Sequence, residues 1–311
     1  MRIVRYEESY GSAWNQFVAA SKNGTFLLDR GYMDYHADRF ADYSLLIFNE
    51  KGNLIALLPA NVREQVFHSH QGLTYGGFVL SMEVTAGEVL EMFDRVADYL
   101  RAQGFIRWIY KQIPVIYHRY PAQEDGYALF CMNAQLIARG LSSTVRQENA
   151  LKFRYNRRYA AGKAQKAGCL IRETSDPTLF WKILTENLLS THGVAPVHTL
   201  AEMELLHSRF PSAIRCFEAL LDGEVIAGAI VYETDTVAHT QYLSASPRGK
   251  ETGALDLLLT KLIREVYASK EWFDFGVSTE QGGWSLNHGL LAQKEGFGAR
   301  AVLYDTYQIT L

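Results

Sequence analysis

A short loop rich in glycine and positive charge has the residue types best suited to chemistry. Arg248, Lys250 and Gly253 lie in this loop, between an apolar run at 237–243 and a helical pattern that begins at Leu255. The first N–H groups of a helix have no partner inside the helix, and the helix dipole favours negative charge there. Two cations beside such a terminus predict a site that binds an anion such as a phosphate.

A carboxylate within an aromatic strand is the second candidate for chemistry. Asp274 alternates with Phe273 and Phe275. Burial among aromatic side chains would raise the pKa of this carboxyl group, and a carboxylate with a raised pKa can accept a proton near neutral pH. The alternative is a structural carboxylate that accepts hydrogen bonds from backbone N–H groups at the end of the strand.

The elements that must position these groups occur twice along the chain. Strand-like runs at 43–48 and 54–60 flank a turn in the first half, and runs at 214–221 and 225–232 flank a turn in the second half. Further strand and helix patterns follow each predicted hairpin. Two copies of one α/β unit explain this order better than one large sheet does. The same patterns predict a strand at 72–80 and helices at 12–20, 31–40, 88–102 and 255–267.

A basic segment separates the two copies. Residues 146–166 carry many lysines and arginines, opposed mainly by Glu148, and Tyr155 and Tyr159 are four positions apart. This pattern predicts a basic helix with an aromatic stripe. Such a helix either faces water or contacts phosphate groups.

Composition and charge exclude several classes of protein. A chain of 311 residues can form one large or two medium domains. The net charge of −3 argues against general binding to DNA or other nucleic acids, so any contact with a polyanion must be local. Runs of about 18 uncharged apolar residues are missing, so we predict no membrane span. The charged first residues are unlike a signal peptide and favour a cytoplasmic location.

Cysteines and histidines give no pattern of a metal site. Cys131, Cys169 and Cys216 are odd in number and widely separated, which favours reduced thiols. His68 and His70 alternate on one predicted strand, but no third ligand is near in sequence. We therefore predict no metal and no tightly bound cofactor.

The order of motifs from Thr236 to Gly298 resembles the acyl-donor half of the GNAT acyltransferase fold. Phe-Asp-Phe-Gly at 273–276 and Lys-Glu-Gly-Phe-Gly at 294–298 are similar to the Fem-type peptidoglycan aminoacyltransferases. The resemblance implies an α/β fold class with two tandem GNAT-like domains, each a mixed sheet flanked by helices. The expected division is an N-terminal GNAT-like domain at 1–145, a basic linking helix at 146–166 and a donor-binding GNAT-like domain at 167–311.

The resemblance also implies how the second domain would hold its donor. An amide arm of the donor would pair with the exposed edge of the strand at 237–245, where backbone N–H groups near Tyr242, Leu243 and Ser244 would face the acyl carbonyl. Arg248, Lys250 and Gly253 would contact the phosphates. The donor is then a coenzyme A thioester or an aminoacyl-tRNA. The loop departs from the family pattern, because Leu255 stands where a small residue is usual.

The family's catalytic positions are only partly matched. In many GNAT enzymes a tyrosine four residues before the glycine at 296 protonates the leaving thiolate, but that position holds Ala292. The Fem-type branch has a lysine just before this glycine, and Lys294 stands there. The resemblance implies that Lys294 balances a developing oxyanion or a phosphate. The alternative is a lysine that interacts with the dipole at the end of a helix. Lys294 and Asp274 are the candidate catalytic residues.

The predicted acceptor contacts come from two segments. His36, Arg39 and Tyr75 lie where the first half resembles the acceptor-facing side of the Fem-type proteins. Trp284 and His288 lie in a long polar and aromatic loop expected near the donor carbonyl. Together they suggest a polar cleft that holds an amine.

These patterns predict an N-acyltransferase. It would move an acyl or aminoacyl group from an acyl-CoA or an aminoacyl-tRNA to an amine, with a small molecule or a peptidoglycan precursor as acceptor. The loop corresponding to the donor loop in the first half, residues 81–88, has no basic residue, so we expect no diphosphate donor there. The alternative is a non-catalytic ligand-binding protein that retains the GNAT fold.

Overall fold

The computed structural model describes residues 1–311, the side chain of His192 excepted. The chain forms two compact units. The N-terminal unit comprises Met1–Leu141, Thr279–Ser285 and Leu303–Leu311, and the C-terminal unit comprises Ser142–Ser278 and Leu286–Val302. This division differs from the predicted boundaries, which assigned 167–311 to one domain. The end of the chain returns to the N-terminal unit, because its last strand pairs there with residues 107–111.

The N-terminal unit contains two sheets and four helices. One sheet has the order β1-β3-β4-β7, and the other contains the neighbours β8-β6-β5-β2. Phe93 and Trp108 stack in its core, and both are fully buried. The helices are α1 (Gly11–Ala20), α2 (Arg30–Met33), α3 (Ala86–Ala102) and α4 (Glu124–Cys131). The strands are β1 (Arg2–Arg5), β2 (Ala41–Asp42), β3 (Leu45–Phe48), β4 (Leu54–Leu58), β5 (Asn61–Arg63), β6 (Val66–His68), β7 (Val79–Leu80) and β8 (Arg107–Lys111).

The C-terminal unit contains a sheet with the order β10-β11-β12-β13-β14-β9. The strand β9 (Gln135–Arg146) enters this unit from the N-terminal unit, and β17 (Arg300–Thr310) leaves it. The other strands are β10 (Leu170–Thr174), β11 (Ile214–Leu221), β12 (Glu224–Glu233), β13 (Val237–Ala245), β14 (Trp272–Val277), β15 (Thr279–Glu280) and β16 (Ser285–Leu286). The helices are α5 (Tyr155–Lys166), α6 (Thr178–His192), α7 (Leu200–Arg209), α8 (Pro247–Thr252), α9 (Ala254–Lys261) and α10 (His288–Gly296).

The two faces of this sheet pack against different helices. On one face, Leu258 and Leu259 of α9 form a core with Val231 and Phe273. Fully burying side chains of this size contributes roughly 1.5–3 kcal/mol each. On the other face, Gly228 lies so close to α6 that an added Cβ would stand 2.3 Å from the ring of Phe180. Cross-strand partners share a face, so the register assigns each polar residue to the α9 face or the α6 face.

The loop after β13 becomes two successive helices. Ser246 caps α8 by accepting a hydrogen bond from Gly249 N at 3.2 Å, and Pro247 follows at the first helical position. Gly253 then adopts φ +84°, ends α8 and begins α9. The predicted helix at 255–267 is confirmed as far as Lys261 and continues as a π-helical turn at Leu262–Val266.

Other element predictions are confirmed in part. The two predicted hairpins are present as β3–β4 in the first half and β11–β12 in the second half. The helix predicted at 88–102 is present as α3. The helix predicted at 31–40 is only α2 followed by a 3₁₀ turn at Asp34–His36, and the strand predicted at 72–80 is only β7. The predicted basic helix begins at Tyr155, because Arg146 still pairs with Trp272 in the sheet. In the described part of the chain, no helix combines the length and the apolar character that a bilayer crossing needs.

Candidate active site

An opening between two parallel strands defines the candidate site in the C-terminal unit. β13 pairs with β14 at only three positions, and the last pair is His239 with Asp274. β14 then turns at Gly276, which has φ +74°. β13 carries a bulge, because Val231 pairs with Thr240 and Ile230 with Tyr242. Beyond His239 the edge of β13 therefore has no strand beside it.

The opened edge of β13 exposes backbone donors. Ser246 N donates to Ile226 O at 2.9 Å, and Ser244 pairs with Gly228 two positions earlier. The N–H groups of an antiparallel strand alternate between its two edges. The N–H of Ser244 thus points to β12, and the N–H of Leu243 points to the edge that β14 has left. Of the three predicted donor positions, the geometry supports Leu243 as the backbone donor.

A cleft of about 700 Å³ lies against this end of β13. Its volume is in the range of small-molecule sites in proteins. The lining combines β13 with the beginnings of α5 and α9, with α6 and with α10. The residues are Arg154, Asn156, Arg157, Leu184, Asn187, Leu188, Thr191, Leu243, Ser244, Ala245, Gly249, Lys250, Leu255, Asp256, Gly289, Ala292 and Gln293.

Charges at the cleft are partly paired. Arg157 Nη1 lies 2.9 Å from Asp256 Oδ1 in the first turn of α9. Burial raises the pKa of Asp256, and the adjacent guanidinium of Arg157 opposes this rise. Arg154 lies 3.4 Å from Glu295 on the surface, whereas Lys250 is exposed at the cleft. The carboxylate of Asp256 would repel a diphosphate, and the cation of Arg157 from α5 reduces that repulsion.

Polar side chains of the cleft are held by specific hydrogen bonds. Asn187 of α6 donates to Ser244 Oγ and to Ala245 O, both at 2.7 Å. These two bonds fix α6 against the end of β13. They also satisfy a hydroxyl and a carbonyl that would otherwise be buried without a partner.

Asp274 is fully buried and surrounded by donors. His239 Nδ1 lies 2.7 Å from Asp274 Oδ2, while Ser142 Oγ and Thr144 Oγ1 donate to Oδ1 at 2.5 and 2.9 Å. Burial alone would raise the pKa of Asp274, but the hydrogen bonds from His239, Ser142 and Thr144 outweigh it, and the pKa is lowered. The prediction that Asp274 has a raised pKa is therefore wrong.

Lys294 is buried at the end of β14. Its Nζ donates to Gly276 O at 2.8 Å and to Val277 O at 2.9 Å. Burial lowers the pKa of Lys294 to about 8, and the charge of Asp274 opposes this. The ammonium group thus holds the turn at which β14 leaves β13. A catalytic role for Lys294 stays a prediction.

The structure separates the predicted donor residues. Leu243, Ser244 and Lys250 line the cleft. Arg248 instead forms ion pairs with Asp222 and Glu224 on the surface, outside the cleft lining. The hydroxyl of Tyr242 lies 2.7 Å from His198 Nδ1, so its side chain packs towards the α7 end of the unit.

Gly253 has a packing role. An added Cβ would stand 2.5 Å from Ala160 O, and the positive φ also disfavours any other residue. The glycine lets α5 approach the junction of α8 and α9, where Lys163 Nζ donates to Glu251 O at 2.7 Å. The basic helix therefore covers part of the loop that the sequence assigned to phosphate.

The predicted acceptor residues lie in different environments. His36 is buried beside His70, and its Nδ1 lies 2.7 Å from Met33 O. Tyr75 is buried, with its hydroxyl 3.0 Å from Thr25 Oγ1. Arg39 lines a separate cleft of about 630 Å³ in the N-terminal unit, which Asn61 and Gln71 also line.

The other two predicted acceptor residues are on the surface. Trp284 is 88 % exposed, and it belongs to the N-terminal unit. His288 begins α10 in the C-terminal unit and is also exposed. Roles for all five residues in acceptor binding stay predictions.

Three residues of the site escaped the sequence analysis. His239 is 35 positions from Asp274, and only the parallel pairing of β13 with β14 brings them together. Arg157 was one of several cations on the basic helix, and Asn187 lay in an unremarkable stretch. A polar residue in each of two predicted parallel strands was the available signal for His239.

Comparisons with known proteins agree with this geometry. Residues 152–282 match the family model described as an acetyltransferase (GNAT) domain. No curated protein matches the sequence. The chain is similar over its whole length to the crystal structure of FemX, with a TM-score of 0.70 and 10 % identity, covering 100 % of this chain and 98 % of that one.

Two further solved structures share the fold. L-PGS from Bacillus licheniformis has a TM-score of 0.61 and 9 % identity, covering 97 % of this chain and 91 % of that one. A tandem GNAT protein from the clavulanic acid biosynthesis pathway has a TM-score of 0.55 and 8 % identity, covering 99 % and 98 %. Residues 152–282 are therefore similar to an acetyltransferase domain of the GNAT class. The fold of the whole chain is that of two tandem GNAT-like domains, as predicted, and FemX shares it.

Proposed function

We propose that the C-terminal unit transfers an acyl or aminoacyl group from an activated donor in the cleft to an amine. The observation that carries this proposal is the separation of β13 from β14 after His239 and Asp274, next to a cleft of about 700 Å³. The open strand edge offers an N–H group where an acyl carbonyl can pair. A strand edge of this kind is absent from an ordinary closed sheet.

The chemistry follows from the position of this N–H group. A neutral amine attacks the acyl carbon, and negative charge develops on the carbonyl oxygen. The N–H of Leu243 can stabilise that charge because it is fixed by the strand before the reaction begins. The new N–C bond forms, the bond from carbon to the leaving sulfur or oxygen breaks, and a proton from the amine goes to the leaving group. The same amine must first lose a proton, because an alkyl ammonium is not a nucleophile.

The donor class that the cleft supports best is one with a phosphate-bearing handle. Lys250, Arg154 and Arg157 provide positive charge, and α9 directs its first N–H groups to the same region. A coenzyme A thioester is the first donor to test, because GNAT domains normally use it.

An aminoacyl-tRNA is the second candidate donor. Tyr155 and Tyr159 are exposed on α5 and stack at a centroid distance of 6.0 Å. Exposed aromatic rings beside arginines are surfaces on which nucleic-acid bases can stack. This stack favours the second donor over a wholly structural α5.

The acceptor is proposed from resemblance. The Fem-type similarity makes the amine of a peptidoglycan precursor the first acceptor to test. The non-catalytic alternative is favoured by Ala292, which lines the cleft where many GNAT enzymes have a tyrosine. This alternative predicts donor binding without turnover.

Two cations from one loop provide a matched test. Isothermal titration with coenzyme A and acetyl-CoA would compare Lys250→Ala with Arg248→Ala. Lys250 lines the cleft and Arg248 pairs with surface carboxylates. Loss of an exposed cation near a phosphate costs ~0.3–1 kcal/mol, so we expect Lys250→Ala to weaken binding about two- to fivefold. Arg248→Ala should retain wild-type affinity.

Turnover completes the test. Release of coenzyme A from acetyl-CoA, or deacylation of alanyl-tRNA, is measured with and without a UDP-linked cell-wall precursor. Acyl transfer to the precursor amine supports the proposal. Equal weakening in both variants refutes the assigned cleft. Binding without any transfer supports the non-catalytic alternative.

A further inference from the structure

The pair formed by His239 and Asp274 has a hydrogen-bond pattern suited to proton transfer. An ionised carboxylate only accepts hydrogen bonds, so His239 Nδ1 is the donor across the 2.7 Å contact with Asp274 Oδ2. In a neutral imidazole the other nitrogen then carries a lone pair. Among the described residues, none lies within hydrogen-bonding distance of His239 Nε2. The ring therefore has an acceptor nitrogen that is not used within the fold.

Asp274 is fixed from both sides. Ser142 and Thr144 of β9 donate to Oδ1, which leaves Oδ2 for His239. Its carboxylate is fully buried, whereas the side chain of His239 is 14 % exposed. Asp274 is therefore shielded from solvent, whereas the ring of His239 is partly accessible.

His239 and Asp274 lie on the face of the sheet that packs against α6. Tyr232 pairs with His239 and lies four positions along β12 from Gly228, which packs on Phe180 of α6. Residues an even number apart on a strand share a face. The bulge after Thr240 brings Ser244 to this face as well, opposite Gly228. His239 and the cleft-lining Ser244 thus lie on one face of β13.

Gly276 preserves space for the imidazole. A Cβ at this position would stand 3.1 Å from His239 Cε1. The carbonyl of the same glycine accepts a hydrogen bond from Lys294. The turn at Gly276 therefore both opens the gap between the strands and leaves the ring unobstructed.

We propose that His239 Nε2 accepts the proton of the incoming ammonium, and that Asp274 is a positioning residue that fixes the imidazole. The inference rests on the proposed acyl transfer and identifies the base that this reaction needs. His239 lies at the closed end of the gap, four positions before Leu243, whose N–H faces the open part. Four strand residues span about 13 Å, which is more than one water can bridge, so a chain of waters carries the proton from the amine to the ring.

Both protons that the ammonium loses have a destination in this reaction. One proton passes from the ammonium to His239 Nε2, and the neutral amine attacks the acyl carbon. The second proton passes from the tetrahedral adduct to the leaving sulfur or oxygen as its bond to carbon breaks. The imidazolium, stabilised by Asp274, then releases its proton to water. The products are an amide and the protonated leaving group.

The first measurement needs no substrate. Long-range proton–nitrogen NMR correlations of histidine-labelled protein report which ring nitrogen carries the proton. We expect His239 to be the Nδ1–H tautomer in the wild type and to lose this preference in Asp274→Asn. A wild-type Nε2–H tautomer, or a tautomer that does not respond to Asp274→Asn, would overturn the inference.

The second measurement follows turnover with acetyl-CoA or alanyl-tRNA and a UDP-linked cell-wall precursor. We expect His239→Gln to lower kcat at least 100-fold with little change in KM, because general-base catalysis typically contributes 10²–10⁴-fold. Asp274→Asn should lower kcat similarly, and the double variant should be no slower than His239→Gln, since the two residues act as a unit.

His207→Gln is the matched control. This histidine is in the same unit, and its Nδ1 lies 2.7 Å from Ile214 O. Its kcat should equal that of the wild type. If His239→Gln turns over at the wild-type rate, the role of His239 is refuted while the acyl-transfer function stands. Absence of transfer in the wild type with both donors refutes the acyl-transfer function and, with it, the role of His239.

Discussion

Replacing Lys294 with methionine would test whether burial of this ammonium group lowers its pKa and so destabilises the folded protein near neutral pH. The side chain is 5 % exposed, and its Nζ is held by Gly276 O and Val277 O. Its pKa is lowered to about 8 by burial, against a usual value of about 10.4 in an unfolded chain. Between these two values the unfolded chain binds more protons than the folded protein does.

The sign and size of the effect follow from that difference. Stability rises with pH wherever the unfolded state binds more protons, so Lys294 adds stability as the pH rises through about 8 and stops adding above about 10.4. Between pH 7.5 and 9.5 the unfolding free energy of the wild type should increase by about 2 kcal/mol relative to Lys294→Met. The uncharged methionine fills a similar volume and cannot titrate.

The assay is urea unfolding of both proteins at the two pH values, followed by fluorescence. Lys250→Met, which changes an exposed lysine at the cleft, is measured in parallel as a control. If the difference in unfolding free energy between the wild type and Lys294→Met is the same at both pH values, the lowered pKa is refuted. Turnover by Lys294→Met at the wild-type rate, with the protein folded, would remove Lys294 from the mechanism and leave it a structural clamp on β14.

Two further substitutions test the junction of α5 with α9. Asp256→Asn removes the carboxylate that pairs with Arg157 at 2.9 Å, so we expect coenzyme A or inorganic pyrophosphate to bind about two- to fivefold more tightly, by ~0.3–1 kcal/mol. Titration calorimetry would show this, and unchanged or weaker binding would place the phosphates elsewhere. Gly253→Ala adds a methyl 2.5 Å from Ala160 O at a positive φ, so the unfolding free energy should fall by ~1–3 kcal/mol. Gly162→Ala, where an added Cβ meets nothing within 4 Å, is the control in α5, and equal stability of the two variants would contradict this packing role.

Local patterns predicted the elements of the C-terminal unit well. β11, β12, β13 and β14 lie where alternation and apolar runs predicted strands. These strands are apolar runs of strand length bounded by turn residues, so they are clear in the sequence. The weaker predictions were short or glycine-rich segments, such as 72–80, where only Val79–Leu80 pairs. There the loop conformation depends on contacts with distant residues.

The candidate site was predicted in part. The sequence identified Lys250, Leu243 and Asp274, but it grouped Arg248 with Lys250 although the two side chains have different surroundings. Neighbouring residues on a short helix point in different directions, and charge alone does not show which carboxylate each will meet. The pKa of Asp274 was predicted with the wrong direction, because burial was visible as a pattern and the donors were not.

The sequence by itself determined the fold class. Motif order, the duplicated α/β pattern and the basic glycine loop are local in the chain, and they were sufficient to predict a tandem GNAT-like acyltransferase. The tertiary structure decided which residues can act together. The parallel pairing of β13 and β14 joins His239 to Asp274 across 35 positions, and the packing of α5 on Gly253 brings Arg157 to Asp256. Such contacts depend on strand register and helix packing between distant segments, which no local spacing encodes.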